Sequence, residues 1–189
     1  MSELYRGVTL WFTGLSQTGK TTTSALVAEK LRARGVDRLE VLDGDVMRMG
    51  LCRGLGFSKE DRDENIRRFM LVAQLLTRND VVVLCAAISP YAEARDTARA
   101  LIGDFAEVYC KAPLKVCAER DTKGLYAKAM SGELQGFTGV NDPYEEPVNP
   151  DLVLATDQHT PEELADQVIA WMEQNNYLQP AGSLASASV

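Results

Sequence analysis

No two of the four cysteines, Cys52, Cys85, Cys110 and Cys117, stand at C-x-x-C spacing. Neither a structural zinc site nor a thioredoxin-type motif is therefore expected. Cys85 and Cys110 lie in apolar runs and read as small core residues. All four read as reduced thiols of a cytoplasmic protein. No apolar run approaches the roughly 18 residues that span a bilayer, so no membrane is expected as a partner. The N-terminus has no basic segment followed by an apolar one, so no signal peptide is expected. Positive charge is not in excess: 20 Lys and Arg face 27 Asp and Glu, a formal net charge of -7. A nucleic-acid binder would usually present a basic surface, so that class is disfavoured. An acidic chain that binds anions must concentrate positive charge locally. No internal repeat is visible. What remains is 189 residues, 46% hydrophobic and 25% charged. That fits one domain able to bury a core without disulfides or metal.

Strand-like and helix-like segments alternate along it. Strands are expected at 8–13, 39–42, 81–87, 105–110 and 152–154. Helices are expected at 22–34, 61–78, 92–101, 113–119 and 161–174. Thr160 and Glu163 form a capping box before the last helix. The alternation predicts an α/β fold, a mostly parallel sheet with helices on both faces. Ligands in such folds bind at the carboxyl ends of strands, here after Thr13, Leu42, Ala87 and Cys110. Residues 122–149 break the pattern. They are polar, carry Gly124, Gly132, Gly136 and Gly139 with Pro143 and Pro147, and read as a lid. The expected domain covers 1–178, with a low-complexity, disordered tail at 179–189.

The run Gly14-Leu15-Ser16-Gln17-Thr18-Gly19-Lys20-Thr21 fits G-x-x-x-x-G-K-[ST], between a strand and a helix. Phosphates there would meet free backbone N–H groups and the positive end of the helix dipole. Lys20 can reach β- and γ-phosphates, and the Thr21 hydroxyl can ligate Mg²⁺. The bland alternative is a glycine-rich turn with a chance lysine. The second strand ends in Asp43-Gly44-Asp45. Phosphoryl transfer needs Mg²⁺ on the phosphates and a carboxylate to orient or deprotonate the acceptor hydroxyl. Asp45 suits the acceptor role. Asp43 suits a magnesium-bound water or the ordering of the loop. Either Asp could instead simply cap the short helix that follows.

Basic residues then cluster at Arg48, Arg53, Arg62, Arg67 and Arg68. Arg recognises phosphate or sulfate through two donors at once. Arg48 and Arg62 are read as anion contacts. For Arg67 and Arg68 a solvated face paired with Glu60, Asp61, Asp63 and Glu64 stands equally open. Arg62, Asn65 and Phe69 share one helix face. Phe57 and Phe137 lie in loops flanking the site and suggest an adenine sandwich, although composition alone favours core packing for each. Ser89 lies where its hydroxyl or backbone meets substrate, or where it caps a helix with Pro90 at the first turn.

Together these residues resemble the adenylylsulfate kinase family, from about Arg6 to Trp171. The specific pieces are Leu55-Gly56-Phe57-Ser58-x-Glu60-Asp61-Arg62-x-Glu64-Asn65-Ile66-Arg67-Arg68, Ile88-Ser89-Pro90-Tyr91, Lys123-Gly124-Leu125-Tyr126 and Phe137-Thr138-Gly139. The resemblance implies a three-layer P-loop kinase fold. It also implies transfer of the γ-phosphoryl of ATP to the 3′-hydroxyl of adenylyl sulfate, with Mg²⁺ and in a homodimer. ATP contacts would come from Gly14 through Thr22 and from Arg120. Asp45 would be the acceptor-side carboxylate, with Lys20 beside it in catalysis and Thr21 and Asp43 at the metal. Arg48, Arg62 and Asn65 would hold the phosphosulfate and ribose, and Phe57 and Phe137 the adenine. Asp43, Ile88, Ser89, Lys123 and Thr138 would complete the acceptor site. Ser89 matches the serine that family descriptions mark as a phosphoserine intermediate. In-line transfer needs only positioning and electrostatics, so a backbone contact from Ser89 is the competing role.

Five positions depart from the family's usual pattern: Gln17 for Gly, Val46 for Asn, Met49 for a polar residue, Ala87 for Phe and Ala92 for a polar or basic residue. Lys20, Thr21, Asp45 and Arg62 are intact, so changed affinity is expected rather than lost activity. Two other readings stay open. One is a P-loop kinase for another small acceptor. The other is a nucleotide-binding module without turnover, working beside an ATP sulfurylase.

Overall fold

The computed structural model describes residues 4–181. Its sheet is wholly parallel, in the order β2-β3-β1-β4-β5. The strands are β1 (Val8–Thr13), β2 (Leu39–Asp43), β3 (Val82–Ala86), β4 (Phe105–Lys111) and β5 (Leu152–Ala155). β1, β3 and most of β4 are continuously buried and largely apolar, as strands covered on both faces must be. Helices α1 (Lys20–Ala33) and α7 (Pro161–Gln174) pack on one face through Val27, Leu31, Leu164, Val168 and Met172 against Leu10, Phe12 and Val108. Helices α3 (Lys59–Thr77) and α4 (Ala92–Ile102) cover the other. There Ile66, Phe69, Ala73 and Ala98 meet Trp11, Val83 and Cys85. The sides alternate residue by residue along β1, so Leu10 and Phe12 point one way and Trp11 the other. Each face therefore has its own apolar core.

The expected capping box is present at Thr160 and Glu163. Two short helices, α2 (Gly44–Met49) and α6 (Leu125–Met130), and the intervening α5 (Leu114–Glu119) complete the elements. α6 lies inside the segment read as a lid. A helix of six residues contains too few turns for its periodicity to stand out in sequence. All four cysteines are buried and free. No helix among the described residues is long and apolar enough to cross a membrane. The antiparallel bridge Tyr5–Leu178 ties the two ends together, and Gln179 N donates to Leu4 O at 2.8 Å. Most of the expected disordered tail, residues 182–189, lies outside the described residues.

The chain leaves β1 toward β2 and β3 on one side and returns to β4 and β5 on the other. The crevice above the carboxyl ends of β1 and β3 is thus a topological switch point. β1, β2 and β3 deliver the phosphate loop, Asp43 and the Ile88–Tyr91 loop to it.

Candidate functional site

The phosphate loop is shaped by contacts within itself. Gly14 has φ 145, and a Cβ there would come within 2.4 Å of the Cys110 carbonyl oxygen, so only glycine fits. Thr18 Oγ1 donates to Leu15 O at 2.9 Å. Gln17 sits at φ 62, in the left-handed region, at a cost of about 1 kcal/mol for a residue with a Cβ. Glycine reaches that region without the penalty. The N-cap of α1, Gly19, makes no side-chain cap, which leaves the first amides of the helix open to an anion. Lys20 is buried. Its Nζ donates to Gly14 O at 2.9 Å and Leu15 O at 2.6 Å. Burial lowers its pKa to about 8, outweighing the opposite pull of Cys110, Cys117, Asp43 and Asp45.

Thr21 Oγ1 donates to Asp43 Oδ2 at 2.7 Å. Asp43 Oδ1 accepts from Asp45 N at 2.9 Å and from Val46 N at 3.4 Å, capping α2. Capping and loop ordering therefore coexist at Asp43. Asp45 is exposed, and its carboxylate has no hydrogen-bond or ion-pair partner among the described residues. Among those residues no cluster of three or more His, Cys, Asp or Glu is placed to hold a metal. Thr21 and Asp43 nevertheless offer two hard oxygen donors beside the loop. Mg²⁺ bound to a nucleotide needs no more than that from protein, since phosphates and water supply the rest.

Opposite the loop stand the arginines. Arg48 Nη1 donates to Leu55 O and Gly56 O, both at 3.2 Å, and its guanidinium lies 4.5 Å from the Phe57 ring centroid. Burial, with Arg62 close by, lowers its pKa. Arg62 is buried, donates from Nε to Phe57 O at 2.9 Å and from Nη2 to Gly136 O at 2.5 Å, and pairs with Asp142 at 3.3 Å. Asn65, on the same face of α3, is buried and its Oδ1 has no hydrogen-bond partner among the described residues. A cavity of about 330 Å³ is lined by Lys20, Thr21, Asp43, Asp45, Arg48, Phe57, Arg62 and Asn65 together with Ile88 and Ser89. Phosphate loop, carboxylates and guanidiniums share one space.

The structure decides several open readings. Phe57 is 62% exposed, so it is no core residue. Arg67 and Arg68 both bind the Glu64 carboxylate, and Arg68 also donates to Leu51 O. Both belong to the structural face of α3, and Arg53 is exposed to solvent. Ser89 does not cap α4, whose N-cap is Tyr91. Ser89 is 2% exposed, its hydroxyl accepts from Trp11 Nε1 at 2.9 Å, and its backbone stands at φ 49. Phe137 is held edge-on against Tyr126, ring centroids 4.9 Å apart, and does not line the cavity. Nor do Lys123, which is exposed, or Thr138, whose buried Oγ1 lacks a partner. Arg120 donates to Thr156 O at 2.6 Å, away from the acceptor side. Leu15 turns from the cavity onto Gly139. A Cβ on Gly139, which has φ 88, would come within 2.5 Å of Leu15 Cδ2.

Sequence reasoning missed Trp11, Tyr126 and Asp142. Tyr126 donates its hydroxyl to Ser16 O at 2.9 Å, linking lid and phosphate loop. A signal existed for Trp11: an indole N–H in a continuously apolar strand must find an acceptor inside the protein. Asp142 carried none, because its partner Arg62 lies far away in the chain.

The family described as "Adenylylsulphate kinase" matches residues 6–155. An adenylyl-sulfate kinase of Halothermothrix orenii is 57% identical over 173 residues, covering 92% of this chain and 93% of the relative. A probable adenylyl-sulfate kinase of Synechocystis is 63% identical over 152 residues, covering 80% and 85%. Among solved structures, the Mycobacterium tuberculosis APS kinase in complex with AMPPNP and APS superposes with a TM-score of 0.85. It shares 48% identity, with 89% of this chain and 99% of that one covered.

Proposed function

The chain belongs to the adenylylsulfate kinase family, and from that premise we propose how its residues carry the reaction. The enzyme transfers the γ-phosphoryl of ATP to the 3′-hydroxyl of adenylyl sulfate, giving 3′-phosphoadenylyl sulfate and ADP. ATP lies along Gly14–Thr22. Lys20 exchanges its two carbonyl partners for phosphate oxygens, and Arg120 serves the base end of the nucleotide. Thr21 and Asp43 would hold Mg²⁺, which would supply charge neutralisation at the transferring group. Asp45 orients the 3′-hydroxyl and takes its proton. The unpaired carboxylate on the cavity wall supports that role.

Arg48 and Arg62 grip the phosphosulfate, Asn65 the ribose, and Phe57 stacks on the adenine. The observation that carries this reading is the partnerless Asn65 Oδ1, buried across the cavity from the phosphate loop. An unmet buried acceptor costs about 1–3 kcal/mol, and a ligand donor would remove that cost. Phe137, Lys123 and Thr138 join as the lid moves over the acceptor. Ile88 and Ser89 contact the acceptor through their backbone. The Ser89 hydroxyl is buried and already bonded to Trp11, which favours direct transfer over a phosphoserine.

We read residues 1–178 as one catalytic unit, with its lid at about 122–149, acting in the cytoplasm. It works as a homodimer with a functional link to ATP sulfurylase. Leu71 and Leu75 lie exposed one turn apart on α3 and support self-association, which light scattering tests.

ADP release measured with adenylyl sulfate, with adenosine and with no acceptor tests the whole reading. Turnover is expected with adenylyl sulfate only. Turnover with adenosine alone would assign a different acceptor. ATP binding without turnover on any of them would leave a non-catalytic partner.

A further inference from the structure

The Ile88–Tyr91 loop is held in an unfavourable shape. Ser89 has φ 49, which a residue with a Cβ adopts only where its surroundings over-determine it. Thr13 Oγ1 donates to Ile88 O at 2.7 Å, and Trp11 Nε1 donates to Ser89 Oγ. The Ser89 carbonyl is taken by Arg95, whose Nη1 donates to it at 2.6 Å. Arg95 is 2% exposed, and each of its three nitrogens has a different partner. Nε donates to Glu107 Oε1 at 2.6 Å, and Nη2 donates to Glu145 O at 2.7 Å. Glu145 lies in the closing stretch of the lid segment. That segment is stitched to the same loop again, since Glu145 N donates to Pro90 O at 2.8 Å and Glu145 Oε2 accepts from Ala92 N at 2.7 Å. Three residues earlier, Asp142 pairs with Arg62.

We propose that Arg95, oriented by Glu107, is a positioning residue for phosphoryl transfer. It clamps the Ser89 carbonyl and the Glu145 carbonyl in one planar fork, so that acceptor loop and lid exit move as one body. A guanidinium is the side chain suited to this, because its five donors have fixed directions. Glu107 offsets the charge that Arg95 carries into the interior. Arg95 makes no hydrogen bond to the phosphate loop; its nearest link is the Tyr144 ring, 5.8 Å from the guanidinium, whose hydroxyl meets Thr13 Oγ1 at 2.9 Å. Its loss should therefore be felt chiefly on the acceptor side. The proposal rests on the reading that the acceptor lies against Ile88 and Ser89.

The test is steady-state kinetics of Arg95→Lys and Glu145→Ala, varying adenylyl sulfate and ATP separately, with the unaltered enzyme alongside. Arg95→Lys keeps the charge and loses the fork. It should raise KM for adenylyl sulfate about tenfold and leave KM for ATP within about twofold. Glu145→Ala, at an exposed position, removes only the bond to Ala92 N and should raise the acceptor KM by about threefold. A merely structural Arg95 would instead lower the melting temperature with both KM values unmoved, or moved together. That result overturns the proposal. If Arg95→Lys does not fold, Glu145→Ala decides: an unchanged acceptor KM overturns the coupling of lid exit to acceptor loop. Failure of the unaltered enzyme to turn over adenylyl sulfate would instead defeat the acceptor assignment itself.

Discussion

On the donor side, Lys20 reaches carbonyls five and six residues back in the chain. On the acceptor side, Arg62 reaches a carbonyl 74 residues ahead, and Trp11 a hydroxyl 78 residues ahead. The phosphate cradle is thus one stretch of contiguous backbone shaped mainly by bonds within itself, with Tyr126 as a distant tie at Ser16. The acceptor wall is assembled from α2, α3, the β3 exit and the lid, joined by long-range ties such as Arg62 to Gly136 and Asp142. A local cradle tolerates the left-handed Gln17 because the rest of the loop and Gly14 still dictate the path. An assembled wall depends on every tie. The two halves should accordingly respond to different substitutions.

Asp45 stands between them and provides the largest effect. Asp45→Ala should lower kcat by about 10²-fold or more while ATP affinity stays within about twofold, because its carboxylate serves the acceptor hydroxyl and not the phosphates. Single-turnover assays with nucleotide-binding measurements read both quantities. If ATP affinity fell as far as kcat, the division into donor and acceptor halves would fail at this residue. An unchanged kcat would remove Asp45 from the chemistry.

The difference in construction also explains what could be read from the chain. Eight contiguous residues put Lys20 and Thr21 at a strand-to-helix turn, where the structure has them, because strand, loop and helix start follow from local pattern. Elements with strong periodicity, such as α3 and α7, appeared within a residue or two of their places. The acceptor wall was another matter. Arg48 and Arg62 were picked out from a cluster that also held Arg67 and Arg68, and spacing alone left the latter two undecided. What separated them is three-dimensional: Glu64 lies within reach of Arg67 and Arg68, while Arg62 faces inward to Phe57 and Gly136. Phe57 and Phe137 looked equivalent in sequence. The structure exposes one on the cavity wall and parks the other against Tyr126. Glu107 lay inside an apolar strand as a charge in need of a partner, a legible sign, but nothing in the sequence named Arg95 as that partner.

Phe57→Ala sharpens the comparison at intermediate size. One lost base stack is worth about 1–3 kcal/mol, so adenylyl sulfate should bind roughly 5- to 150-fold more weakly, with ATP unaffected. The ring also carries the Arg48 guanidinium at 4.5 Å, so part of the loss would come from a less well placed cation. Isothermal titration with each nucleotide separates the effects. Equal weakening of both nucleotides would mean that Phe57 supports the whole cavity rather than the acceptor wall.

The smallest effect belongs to the donor side and is read by pH. Burial lowers the Lys20 pKa from its ordinary 10.5 to about 8. In the free enzyme the unfolded chain therefore binds this proton more readily, and the contribution of Lys20 to stability rises as pH climbs from about 8 toward 10.5. Bound phosphates reverse the balance, because they favour the ammonium and lift its pKa. ATP binding should then be flat below about pH 8 and weaken by about tenfold between pH 7 and pH 9, with proton uptake at the higher value. Titration calorimetry at pH 8.5, in two buffers of different ionisation enthalpy, reads that uptake directly. Adenylyl sulfate, assigned to the opposite wall, should not share the slope. If both ligands weakened in parallel, the titrating group would lie in the common cavity rather than in the phosphate cradle, and the local construction of the donor half would no longer account for its behaviour.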